Sequence, residues 1–169
     1  MDRCKSLYML IGPKGSGKTT IGTILEQRLG LRFLRVEPIW LQFMAAPVAG
    51  KSGWDVVREH IGREFETTDH LVIESLGAGE EFAAFRAILG TCYRLRMVKV
   101  VADLEECLRR VRERDSASHI PVSDERVIEY NRIAAQVRFD GDLVIDNNDP
   151  ASAETIVRHF GKLLGPTAQ

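Results

Sequence analysis

The stretch Gly12-Pro13-Lys14-Gly15-Ser16-Gly17-Lys18-Thr19 constrains this chain more than any other. It sets three glycines, a lysine and a threonine at the spacing of a phosphate-binding loop. The apolar run Leu7-Tyr8-Met9-Leu10-Ile11 precedes it, and a segment predicted to be helical from about Thr19 to Leu29 follows, which is the strand–loop–helix setting such a loop needs. Glycine at 12, 15 and 17 lets successive backbone N–H groups converge on phosphate oxygens without interference from a Cβ. Lys18 adds a mobile positive charge near the outer phosphates, and the Thr19 hydroxyl suits the magnesium ion that accompanies ATP. The helix presents its free N-terminal amides to the same anion. Gly12 to Thr20, Thr20 included, is therefore the expected ATP-binding segment.

The bulk of the chain suits one core around that loop. With 169 residues, 44% of them hydrophobic and 28% charged, it is long enough for a single doubly wound domain over 1–169. A net charge of −1 argues against an extended nucleic-acid interface. Cys4, Cys92 and Cys107 are widely spaced and odd in number, which fits reduced thiols better than a disulfide framework. No run has the length of a membrane span, and no signal-peptide pattern opens the chain, so a cytoplasmic location is expected.

Periodicity predicts an alternating α/β chain. Strands are expected at Leu7 to Ile11, Arg32 to Val36, Leu71 to Glu74, Arg94 to Val101 and Asp142 to Ile145. Helices are expected from Trp54 to Thr67, Glu80 to Leu89, Leu104 to Arg114, Ser123 to about Val137, and Ala151 to Leu164. The segment through Pro38, Pro47 and Gly53 cannot be one regular helix. The pattern implies a five-stranded parallel sheet flanked by helices, with ligands gathered at the strands' carboxyl ends.

With the loop and this alternation in hand, the chain resembles the small P-loop kinases of the adenylate kinase, nucleoside kinase and shikimate/gluconate kinase group. Arg109-Arg110-Val111-Arg112-Glu113-Arg114 falls where such kinases place arginines at the start of a lid, here the short stretch of about 115–122. Arg126-Val127-Ile128-Glu129-Tyr130 resembles the Arg-Leu-x-x-Tyr segment after the lid of adenylate kinases, which carries Arg126 over as a group that reaches the transferring phosphates. Arg110 and Arg114 stand four apart and share a helix face, so both can point at ATP. Arginines on a closing segment stabilise the charge spread over a transferring phosphoryl group and exclude water. A solvated helix end, whose positive charge complements the dipole, is the other reading of this run.

Two carboxylates compete for the remaining chemistry. Glu37 lies in Val36-Glu37-Pro38-Ile39-Trp40, similar to the Glu-Pro segment of deoxynucleoside kinases, where the glutamate approaches the hydroxyl to be phosphorylated. That position suits a general base, with Pro38 and Trp40 fixing the loop and offering a stacking surface. Glu74 ends the Leu71-Val72-Ile73 run and is placed to accept a hydrogen bond from magnesium-bound water, sharing the metal role with Thr19. Its extra methylene relative to the usual aspartate leaves a contact with Ser75 or the acceptor open as well. Ser75-Leu76-Gly77-Ala78-Gly79 departs from the runs of both adenylate and deoxynucleoside kinases. Asp146-Asn147-Asn148-Asp149-Pro150 falls where related kinases wrap backbone around adenine, with Asn147 as the candidate contact; a polar turn and helix cap would use the same letters.

The expectation is an ATP- and Mg2+-dependent phosphotransferase for a small-molecule acceptor held by about 38–67, leaning slightly toward a nucleoside or nucleotide. A sugar acid or other hydroxyl compound, a P-loop ATP hydrolase and a non-catalytic nucleotide binder are the alternatives. A monomer or homodimer is expected, with no membrane partner.

Overall fold

The computed structural model describes residues 5–114, 122–138 and 141–164. Its elements run β1 (Ser6–Ile11), α1 (Lys18–Leu29), β2 (Arg32–Leu34), α2 (Val36–Ala45), α3 (Gly53–Glu64), β3 (His70–Ser75) and α4 (Glu80–Cys92). They continue as β4 (Arg94–Val101), α5 (Leu104–Arg112), α6 (Asp124–Gln136), β5 (Leu143–Asp146) and α7 (Ala153–Leu164). The expected lid lies outside the described residues except for Val122.

All five strands are parallel, in the order β2-β3-β1-β4-β5. β1 is buried along its whole length, and Leu10 stands level with Glu74 of β3 and Val98 of β4. Alternate side chains of a strand serve opposite faces. Leu7, Met9, Leu71 and Ile73 accordingly join one core beneath α2, α3 and α4, while Tyr8, Leu10 and Val72 join a second beneath α1 and α7. The loop that carries the chemistry leaves the carboxyl end of the central strand, where a doubly wound sheet collects ligands.

α1 packs close to the sheet because Gly22 has no side chain: a Cβ there would stand 2.5 Å from the Phe33 ring. α3 starts at a reciprocal cap, in which the Asp55 N–H donates to Ser52 Oγ and the Ser52 N–H donates back to the Asp55 carboxylate. Ser123 caps α6 by accepting from the Arg126 N–H, as the sequence predicts.

The main departure from expectation lies after β2. That strand ends at Leu34 rather than Val36, and a helix occupies Val36–Ala45. Pro38 reads as a breaker in sequence, but it sits in the first turn of α2, where backbone N–H groups have no intrahelical partner and its missing donor costs nothing. Glu37 is thereby on a helix rather than in a loop.

Candidate active site

The three loop glycines are required by what surrounds them. A Cβ on Gly12 would stand 2.3 Å from the Val100 carbonyl oxygen. Gly15 and Gly17 have φ of +89° and +95°, a region that L side chains avoid, and a Cβ on Gly15 would stand 2.5 Å from the Cys107 carbonyl. The loop is also tied into the sheet, since the Gly12 N–H donates to the Ser75 carbonyl at 3.2 Å.

Asn147 and Arg110 hold this loop from behind. Buried Asn147 donates through Nδ2 to the Ser16 carbonyl at 2.8 Å and accepts at Oδ1 from the Ala151 N–H at 3.2 Å. Arg110 donates to the Asn147 carbonyl at 2.6 Å and pairs through Nε with Glu106 at 2.7 Å; its other terminal nitrogen lies 3.4 Å from the Gly15 and Ser16 carbonyls. Both residues therefore brace the loop through its backbone. Ser16 is fully buried, and its Oγ has no hydrogen-bond partner among the described residues.

In front of the loop is a cavity of about 340 Å³. Gly12, Lys14, Lys18, Thr19 and Arg114 line its cationic end, and Glu37 and Glu74 contribute carboxylates. Val36, Trp40, Trp54, Leu76 and Tyr130 make an apolar wall. Lys18 Nζ folds back on the Gly12 and Pro13 carbonyls, at 2.8 Å from each. Burial lowers its pKa to about 8; the Glu74 charge opposes that shift, and the positive charges of Lys14 and Arg114 reinforce it. Thr19 Oγ1 donates to Glu74 Oε2 at 2.8 Å, and Lys14 Nζ pairs with Glu37 Oε1 at 2.7 Å.

Magnesium in a phosphate loop is held mainly by substrate phosphates, water and one or two protein oxygens, rather than by a protein cage. The donor set suits that arrangement: the Thr19 hydroxyl faces the cavity with the Glu74 carboxylate next to it, and no cluster of three metal-ligating side chains occurs among the described residues.

Other candidates lie elsewhere. Arg126 is on the open face of α6, its side chain 64% exposed and 3.9 Å from Glu129, and it does not line the cavity. Thr20 is exposed on α1. Pro13 lines a neighbouring space of about 190 Å³ with Lys99 and Asn131. Arg109 is held by Glu106 and Glu113, and Arg112 by Asp124. Trp54 falls inside the acceptor region of about 38–67 expected from sequence, though only as the start of a helix and with no role of its own. The structure sets it 5.4 Å from Trp40 and 4.5 Å from Phe85, ring centre to ring centre, with Gly53 leaving room for the Trp40 ring. The usable signal was that the chain's two tryptophans flank the capped start of α3.

No protein-family model matches the chain. It is 34% identical over 73 residues to shikimate kinase 2 of Yersinia enterocolitica and 38% identical over 65 residues to the pentafunctional AROM polypeptide of Schizosaccharomyces pombe. These stretches amount to 40% and 35% of this chain, and to only 42% and 4% of those two proteins. A protein of Chloroflexus aurantiacus superposes with a TM-score of 0.71 at 17% identity, over 97% of this chain and 98% of that one. A sugar kinase from a Janibacter species gives 0.66 at 16% identity, over 96% of each. Solved shikimate kinases, a gluconokinase and an APS kinase give 0.56–0.64 at 16–22% identity. The fold is thus that of the small P-loop kinases. These findings support a small-molecule kinase at large, and favour a sugar, sugar-acid or other small-molecule acceptor over the slight lean toward a nucleoside or nucleotide.

Proposed function

We propose that the chain transfers the terminal phosphoryl group of ATP to a hydroxyl of a small metabolite, of the sugar, sugar-acid or related polyol kind. The observation that carries this reading is the meeting of Lys18, the Thr19–Glu74 pair and Glu37 in one cavity with an aromatic wall. A P-loop hydrolase has no use for a cavity that extends from the phosphate loop to Trp40, Trp54 and Tyr130; a kinase needs that space for its acceptor.

In this reading the loop amides from Gly12 to Thr19 cradle the phosphates, and Thr19 and Glu74 would hold Mg2+, which would supply charge neutralisation for the transfer. Lys18 leaves the Gly12 and Pro13 carbonyls to meet the outer phosphates. Glu37 accepts the acceptor's hydroxyl proton as the hydroxyl oxygen bonds to phosphorus and the bond to the departing ADP oxygen breaks. Arg114, which lines the same cavity as Lys18, stabilises the charge of the transferring group. Arg110 and Asn147 keep the loop in shape.

Incubating the protein with Mg-ATP and pooled sugars, sugar acids and nucleosides, and identifying phosphorylated products by mass spectrometry, tests the reading. ADP formed one-for-one with a phosphorylated acceptor supports it. Phosphate released without acceptor would assign a hydrolase instead, and ATP bound without either reaction a binding module.

A further inference from the structure

Lys14 fills a variable position of the loop, one that the phosphate-binding pattern leaves open. Its Nζ nevertheless meets Glu37 Oε1 at 2.7 Å, and the two side chains are only 20% and 16% exposed. Lys18 Nζ rests on the Gly12 and Pro13 carbonyls immediately before Lys14 in the loop. Lys14 thus connects two groups that face different substrates: Lys18 at the phosphates and Glu37 at the acceptor. Lys14, Lys18 and Glu37 all line the one cavity of about 340 Å³.

A carboxylate placed to take a proton from the acceptor must also face the incoming terminal phosphate, and two anions in so small and partly buried a space repel strongly. A cation between them removes that conflict. We propose that Lys14 is a positioning residue that couples the two substrate sites: it holds the Glu37 carboxylate at the acceptor chamber and screens it from the terminal phosphate of bound ATP. The inference rests on the kinase reading above and assigns a role that the loop motif does not supply. ADP lacks the terminal phosphate, so its binding should not depend on the pair.

Calorimetric titration of Mg-ATP and Mg-ADP into the wild type, Lys14→Met, Glu37→Gln and the double variant tests this. Lys14→Met should weaken ATP about tenfold while changing ADP less than about threefold, because the lost screening acts on the terminal phosphate. Adding Glu37→Gln should restore most of the loss, since the repelling charge is then gone, and Lys14→Arg should keep the wild-type ratio. Equal weakening of ATP and ADP, or no restoration in the double variant, overturns the inference. Should Lys14→Met fail to fold, Glu37→Gln alone carries the test. Releasing Lys14 toward the phosphate should raise the ATP-over-ADP preference about threefold, and an unchanged or lowered preference overturns the coupling. A wild type that binds neither nucleotide removes the kinase reading itself, an outcome distinct from ATP binding with an additive cycle.

Discussion

Thr19 and Glu74 meet by a 2.8 Å hydrogen bond that joins the first turn of α1 to the carboxyl end of β3. This contact sets a hydroxyl and a carboxylate side by side at the mouth of the phosphate loop, and Glu74 is only 8% exposed. Thr19→Val keeps the shape and removes the hydroxyl. It should raise the magnesium concentration needed for half-maximal activity about tenfold and lower kcat by about 10²-fold, the scale of losing an electrostatic stabiliser of the transition state. Thr19→Ser should restore both. An unchanged magnesium titration for Thr19→Val would remove Thr19 from the metal site.

Lys18 gives the account a pH signature. Its pKa lies at about 8, below the unperturbed 10.5, so between those values the unfolded chain binds more protons than the folded one. Stability relative to Lys18→Met should therefore rise with pH across that interval, as denaturant titrations can measure. Nucleotide binding should run the other way. Phosphates favour the charged ammonium, so Mg-ATP affinity should fall as pH climbs past about 8, with proton uptake on binding. Calorimetry at pH 8.5 in two buffers of different ionisation enthalpy reads that uptake, and equal apparent enthalpies would contradict it.

Asn147 braces the loop with a buried hydrogen bond to the Ser16 carbonyl, is itself held by a half-buried one from the Ala151 N–H, and cannot be trimmed without loss. Asn147→Ala should cost about 1–3 kcal/mol of stability, the penalty for leaving buried groups unpaired, and should weaken ATP and ADP alike because it acts on the loop backbone. Chemical denaturation together with nucleotide titration checks both parts.

Gly53 faces the Trp40 ring so closely that an added Cβ would approach it to 2.3 Å. Gly53→Ala should cost about 1–3 kcal/mol by overpacking and should shift the tryptophan fluorescence, since both tryptophans line the cavity. Its effect on kinetics should appear in the acceptor's KM more than in that of ATP.

The loop was readable in sequence because its pattern is one contiguous run, Gly12 to Thr19, although the neighbours that leave no room for a Cβ at Gly12, Gly15 and Gly17 are the distant Val100, Cys107 and Asn147. Parallel strands announced themselves as apolar runs such as Leu71-Val72-Ile73 for the same reason. The acceptor side was less legible because it is made by contacts across distance. Lys14 and Glu37 are 23 residues apart and meet only once α2 has formed, and Pro38 disguised that helix. Trp54 reaches the cavity beside Trp40, 5.4 Å away ring centre to ring centre across α2 and α3, a packing that no periodicity encodes. Arg126 and Tyr130 share a motif in sequence, but in space Tyr130 lines the cavity and Arg126 points away beside Glu129.

The central claim is phosphoryl transfer that depends on this cavity. Its most direct measurement is the ratio of phosphorylated acceptor to ADP, followed by mass spectrometry for the wild type and for folded Lys18→Ala and Glu37→Gln proteins. The account predicts a ratio of about one for the wild type and no detectable transfer for Lys18→Ala. For Glu37→Gln it predicts a rate about 10²–10⁴-fold lower, with Mg-ATP bound at least as tightly. Transfer at the wild-type rate by Lys18→Ala, or ATP consumed by the wild type with no phosphorylated acceptor, would contradict it.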